Sequence, residues 1–150
     1  MAKRLGLELR ITRLMLQIGA MCTRFGRFDD AEQILLAVKA YRDDLPHPGS
    51  LLALNFVSQG RLHEAEQELE AVLAAYPHHQ FGKALLGLVY RESGRADWER
   101  LPREVIDDGR DEGSIKFARE TLGLEAPPDD TSDSGGHRSN STPHAQRVYG

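Results

Sequence analysis

The chain has 150 residues, enough for one domain or a domain with a tail. Its formal net charge of −4 excludes a general nucleic-acid binder, because a phosphate-binding face leaves a basic excess. A single cysteine, Cys22, excludes an intramolecular disulfide and fits a reducing compartment, and no apolar run approaches the roughly 18–20 residues that span a bilayer.

The first stretch, Leu5 to Arg24, begins after two basic residues, Lys3 and Arg4. Glu8, Arg10 and Arg13 interrupt what would be the apolar region of a signal peptide, so the segment reads as a helix of a mature, cytoplasmic protein. Leu7, Ile11, Leu14, Ile18 and Met21 recur at threes and fours and form its apolar stripe. Gly26 stops it, where a left-handed turn is cheap for glycine. Asp29 and Asp30 open the next helix at the positive end of its dipole. That helix carries Ala31, Ile34, Leu35 and Val38 on one face and ends near Asp43–Leu45.

Pro46-His47-Pro48-Gly49-Ser50 breaks the chain and starts a third helix, with Ser50 as a capping candidate. This helix contains Leu51, Leu52, Leu54, Phe56 and Val57 and stops at Gly60. Its partner runs from about His63 to Tyr76 with Ala65, Leu69, Val72 and Leu73 inward, and Pro77 ends it. A third pair begins near His79, uses Leu85, Leu86, Leu88, Val89 and Tyr90, and stops at Gly94. The pattern then degrades. Trp98 and Glu99 stand where alanine stood, a helix restarts at Pro102 and runs to about Asp108, and Ser114 caps a last short helix containing Ile115, Phe117, Ala118 and Leu122.

Gly26, Gly60 and Gly94 are 34 residues apart, each followed by arginine. Seven residues before each glycine stands a small residue (Gly19, Ala53, Gly87), and four before stands Cys22, Phe56 or Tyr90. Five after stands Ala31, Ala65 or Glu99. A 34-residue helix–turn–helix period is the mark of tetratricopeptide repeats. The expected fold is therefore all-α: three tetratricopeptide-like helix pairs in a short right-handed superhelix with a divergent C-terminal unit, spanning residues 1–124. Residues 125–150 are polar apart from Val148 and Tyr149 and are expected to be a disordered tail, since they cannot bury enough surface to offset ordering entropy. Cys22 is expected between the first two helices and to be unreactive.

The chemistry-bearing residues do not assemble a site. His78 and His79 are adjacent and point to different sides of a helix, so they form no metal pair and read as part of a solvated loop. Asp107, Asp108, Asp111 and Glu112 lack the alternating spacing of a calcium loop. No nucleophile–base pair or phosphate loop stands out, so no enzyme, cofactor or metal is expected. What remains is a surface. In stacked helix pairs the first helix of each unit lines the concave side. Repeat phase then gives a partner-binding groove of Leu16, Ala20 and Thr23, then Ser50, Leu54 and Val57, then Ala84, Leu88 and Arg91. This mostly apolar row suits an amphipathic helix, unless another helix of the same chain fills it.

The run Gly26-Arg27-Phe28-Asp29-Asp30-Ala31-Glu32, the run Phe81-Gly82-Lys83-Ala84-Leu85-Leu86, and then Gly94, Trp98 and Glu104-Val105-Ile106 resemble small tetratricopeptide-like accessory proteins of bacterial type III secretion systems. The likeness is nearest to the Hrp-type family and more distant to the tetratricopeptide member of the needle-subunit chaperone pair, and it covers about Thr12 to Leu122. It implies a non-enzymatic protein serving assembly of the secretion apparatus. In the needle chaperones the groove holds the amphipathic C-terminal helix of a polymerising needle subunit. The implied partner is thus a needle or pilus subunit or another apparatus protein, with or without a small co-chaperone. Some Hrp-type members are placed in the periplasm, which offers the alternative of a periplasmic component contacting the cell wall. A generic tetratricopeptide scaffold is the other alternative. The tail after Glu125 departs from the compact family pattern.

Overall fold

Glycine at a fixed period is the device that folds this chain. In the computed structural model, which describes residues 2–124, Gly26, Gly60 and Gly94 adopt φ of +73°, +72° and +74°. This left-handed region is strained for any residue with a Cβ. The residue after each glycine then reaches back around the helix end: Arg27 N–H to the Cys22 carbonyl at 2.8 Å, Arg61 to Phe56 at 2.9 Å, and Arg95 to Tyr90 at 2.9 Å. With the inner bonds, which span three residues, from Gly26 N–H to Thr23, Gly60 to Val57 and Gly94 to Arg91, these are three copies of one Schellman termination.

The described residues form seven helices and no strand: α1 (Ala2–Arg24), α2 (Phe28–Tyr41), α3 (His47–Ser58), α4 (Leu62–Ala75), α5 (Gln80–Glu92), α6 (Arg100–Asp108) and α7 (Glu112–Thr121). Each odd-numbered helix pairs antiparallel with the even one that follows. It also packs on the next odd helix, and each even helix packs on the next pair. This is the stacking of tetratricopeptide units, with α1, α3, α5 and α7 side by side on one face. Three pairs were expected. The structure makes the expected last short helix, α7, the first helix of a fourth unit, because Gly123 (φ +71°) and the bond from Leu124 N–H to the Arg119 carbonyl repeat the same termination.

The core follows the repeat. Leu35, Leu52, Ala53, Ala65, Leu69, Leu85 and Val89 are fully buried and contiguous. The small residue of each first helix is set by close approach: a Cβ on Gly19 would stand 2.7 Å from Leu35 Cδ2, and one on Gly87 only 2.4 Å from Pro102 Cδ. Pro102 is therefore not merely an interruption. It lies in the first turn of α6, where proline is tolerated, and its buried ring fills the space beside Gly87. The third pair diverges because turns over 96–99, which half-bury Trp98, stand where the repeat phase puts the helix start, so α6 begins only at Arg100, against the Pro102 expected from sequence.

Two capping expectations are corrected. Ser50 does not cap α3. Pro46 occupies that position without a side-chain bond, and the Ser50 hydroxyl, inside the helix, donates back to the Pro46 carbonyl at 3.1 Å. Ser114 does not cap α7 either. Asp111 does, its carboxylate accepting the Ser114 N–H at 2.9 Å and the Ser114 hydroxyl. These two bonds hold the Asp111 carboxyl below its ordinary range. The expected tail, residues 125–150, lies outside the described residues.

Candidate functional site

The nine positions that repeat phase gives for a partner-binding groove lie on α1, α3 and α5 in three different states. Leu16, Ala20, Leu54, Val57 and Leu88 are half-buried: their inner atoms pack on the core and their outer atoms face solvent. Thr23, Ser50 and Ala84 are buried in contacts of the chain with itself and offer no side-chain surface. Arg91 is exposed but engaged, donating to the Thr121 carbonyl at 2.8 Å with its guanidinium 5.7 Å from the Trp98 ring centre.

Each of the buried positions has a structural reason. The Thr23 hydroxyl lies between the Gly19 carbonyl (3.3 Å) and Asn55 Oδ1 (3.0 Å), and Asn55 Nδ2 donates to the Phe28 carbonyl at 3.1 Å. One wholly buried asparagine thus joins α1, α2 and α3. Ala84 meets Val105 and Ala118 in a second small cluster, beside the Phe81–Phe117 edge-to-face pair at 5.7 Å. Helix α7 therefore covers the Ala84 side of α5, and the half-buried apolar row that stays open runs over α1, α3 and the outer edge of α5.

At its α1 end the groove widens into an open cleft of about 610 Å³ between α1 and the start of α3, with Leu9, Arg13, Leu16, Leu45 and His47 among its walls. Leu9 is 54% exposed. Repeat phase did not include it, because it lies before the stretch of α1 that corresponds to α3 and α5. Its signal was the length of α1, 23 residues against 12 and 13 for α3 and α5.

His79 is not the solvated loop residue that the sequence suggested. Its Nε2 is 2.7 Å from the Ser50 hydroxyl, and its ring meets His47 edge-on at 5.4 Å and Phe81 at 6.4 Å. Gly82 makes room, since a Cβ there would stand 2.8 Å from His79 Cδ2. Burial, aided by the neighbouring His47, lowers the imidazole from its ordinary 6.5 to about 4, with Asp111 opposing weakly. The Ser50–His79 contact is a helix-start clamp. A serine with no exposed surface cannot attack a substrate. Among the described residues, no group of three or more His, Cys, Asp or Glu is placed to hold a metal ion.

The units are also joined by a repeated ion pair. Arg61 reaches Glu32 of the preceding unit at 3.0 Å, and Arg95 reaches Glu66, one period later, also at 3.0 Å. Each guanidinium lies over the aromatic residue of its own turn, Phe56 at 4.4 Å and Tyr90 at 3.8 Å. The hydrogen bonds that Arg61 donates, to Glu64 first and then to Glu32, raise its pKa, and Arg61 in turn lowers that of Glu64.

These features define a tetratricopeptide-like helical repeat protein. The solved Sgt2 tetratricopeptide domain from Aspergillus fumigatus shares the fold, with a TM-score of 0.59 over 84% of this chain and 91% of that one, at 17% identity. No curated protein matches the chain significantly. The chain belongs to the bacterial type III secretion protein family HrpB1_HrpK, whose model matches residues 10–125. No helix of the described residues is long and apolar enough to cross a membrane.

Proposed function

We propose that this protein is a non-enzymatic chaperone or adaptor of the type III secretion apparatus, which receives an amphipathic helix of a polymerising needle or pilus subunit along α1, α3 and α5. The observation that carries the reading is the half-buried row Leu16, Leu54, Val57 and Leu88, which is apolar and continuous with the cleft at Leu9. An apolar trough between helices takes the apolar face of another helix, read as i, i+3, i+4 and i+7 anchors. Arg13 on α1 lines the cleft, is exposed and stands ready for a carboxylate on the polar edge of such a helix.

The test uses Leu54→Asp and Leu88→Asp in the full chain, titrated with a synthetic helix of the subunit. Each places a carboxylate in a desolvated contact and is expected to weaken binding by about 100-fold or more, while far-UV circular dichroism is unchanged. Binding at the wild-type level removes the groove from the reading.

The proposed compartment is the cytoplasm, where an unpolymerised subunit needs protection. Fractionation of the native bacterium checks it. Recovery in the periplasm with cell-wall material would replace the chaperone with a structural assembly component, and co-purification with nothing from the export machinery would leave a generic scaffold.

A further inference from the structure

Repeat arrays need a polar outer face on their terminal units, because the last helix pair has no neighbour to cover it. The C-terminal end of this array meets the requirement, since α7 lies over α5 and α6. The N-terminal end does not. Helix α1 packs its Thr12, Gly19 and Thr23 side on the body, and its opposite side carries Leu7, Ile11, Leu14, Ile18 and Met21, with Phe25 in the turn just past its end. These six are 37% to 75% exposed. The apolar stripe of α1 thus faces outward.

The order of the residues in that stripe says what covers it. With Arg4 at the start, the positions alternate steps of three and four over three heptads. Ile11, Ile18 and Phe25 fall at a, and Leu7, Leu14 and Met21 at d. β-Branched residues at a with leucine at d are the pattern of a parallel two-stranded coiled coil. The flanking charges agree. The g positions Lys3, Arg10, Gln17 and Arg24 are all exposed, while the e positions Glu8, Met15 and Cys22 are half-buried. A parallel pair sets Lys3 of one chain against Glu8 of the other on both sides of the seam. An antiparallel pair would set the basic g rows against each other. The chain's own residues 125–150 supply only Val148 and Tyr149 as large apolar side chains, too few for six.

We infer that α1 is a dimerisation helix, and that a second copy of this chain covers Leu7–Phe25 in a parallel, in-register coiled coil. The six stripe residues line neither the groove row nor its cleft, which only Arg10 of the g row borders, so the inference does not rest on what the groove binds. A three-heptad seam is at the low end of stable interfaces, near ~1,200 Å² in total, so association is read between roughly 1 and 200 µM.

The test is sedimentation equilibrium of the full chain. The mass is expected to rise with concentration from 16.8 kDa to twice that value. Leu14→Glu is expected to raise the dimer dissociation constant by about 100-fold or more with unchanged helicity, since Leu14 is 54% exposed and the monomer does not need it. Leu88→Asp, on the groove, is expected to dimerise as the wild type does. Orientation is read by cross-linking in a Cys22→Ala background. Leu7→Cys and Met21→Cys chains, mixed, are expected to form like-with-like disulfides. A monomer at every concentration, a dimer indifferent to Leu14→Glu, or a predominant 7-to-21 cross-link each overturns the inference.

Discussion

Replacing Asn55 by alanine tests how the first three helices are held in register. The side chain has no exposed surface, and it bonds to Thr23 on α1 and to Phe28 on α2. Asn55→Ala removes both bonds, each with a net contribution of about 1 kcal/mol. The Thr23 hydroxyl retains the Gly19 carbonyl, so no donor is stranded there. The deleted atoms leave a small cavity costing about 0.5–1 kcal/mol more. The sum is about 2.5–3 kcal/mol. For a folded part of about 120 residues, the unfolding entropy near the midpoint is about 0.25 kcal/mol/K, so the midpoint is expected to fall by about 10–12 °C. Thermal unfolding followed by far-UV circular dichroism measures this. A double-mutant cycle with Thr23→Val is expected to return a coupling of about 1 kcal/mol. A midpoint within about 2 °C of wild type would refute the reasoning, because a satisfied asparagine at the junction of three helices cannot be removed so cheaply.

Other substitutions separate steric from conformational effects. Gly87→Ala forces a methyl against the rigid Pro102 ring, and its overpacking cost of about 1–3 kcal/mol is expected to exceed the gain of about 1 kcal/mol in helix propensity. Gly6→Ala, with nothing within 4 Å, is expected to stabilise by about 0.5–1 kcal/mol; urea titration measures both. His79, lowered to about 4 when folded, takes up its proton more readily once unfolded. Its part in stability is therefore intact above pH 6.5 and is lost as pH falls from 6.5 to about 4. His79→Gln is expected to flatten the stability profile in that window, and an unchanged slope would show that the imidazole is not sheltered as described.

The repeat was legible because its terminator is local. Glycine at φ near +70° and the arginine after it need no tertiary information to be recognised, so Gly26, Gly60 and Gly94 placed the first five helices well. The fourth terminator, Gly123, was passed over because it stands out of phase, and with it the identity of α7. Periodicity shows that a helix has an apolar face and not where that face points. Helix α1 has a second, subtler face of Thr12, Gly19 and Thr23, whose small and polar side chains allow close approach, and that face took the body. His79 was misread for a similar reason: its shelter comes from His47, Ser50 and Phe81, two of them far away in sequence. For the proposed groove, phase names positions on α1, α3 and α5, but only packing between helices decides that Leu54 and Leu88 keep an outer surface and that Ala84 does not.

The cover that α7 lays over the last helix pair sets a valency. A stack with two bare ends would join head to tail and go on growing, whereas this one is sealed at one end and presents a single self-matching strip at the other. Paired as inferred above, such a body closes about a two-fold axis and stops. A chaperone of the proposed kind would thereby be kept from becoming a filament itself.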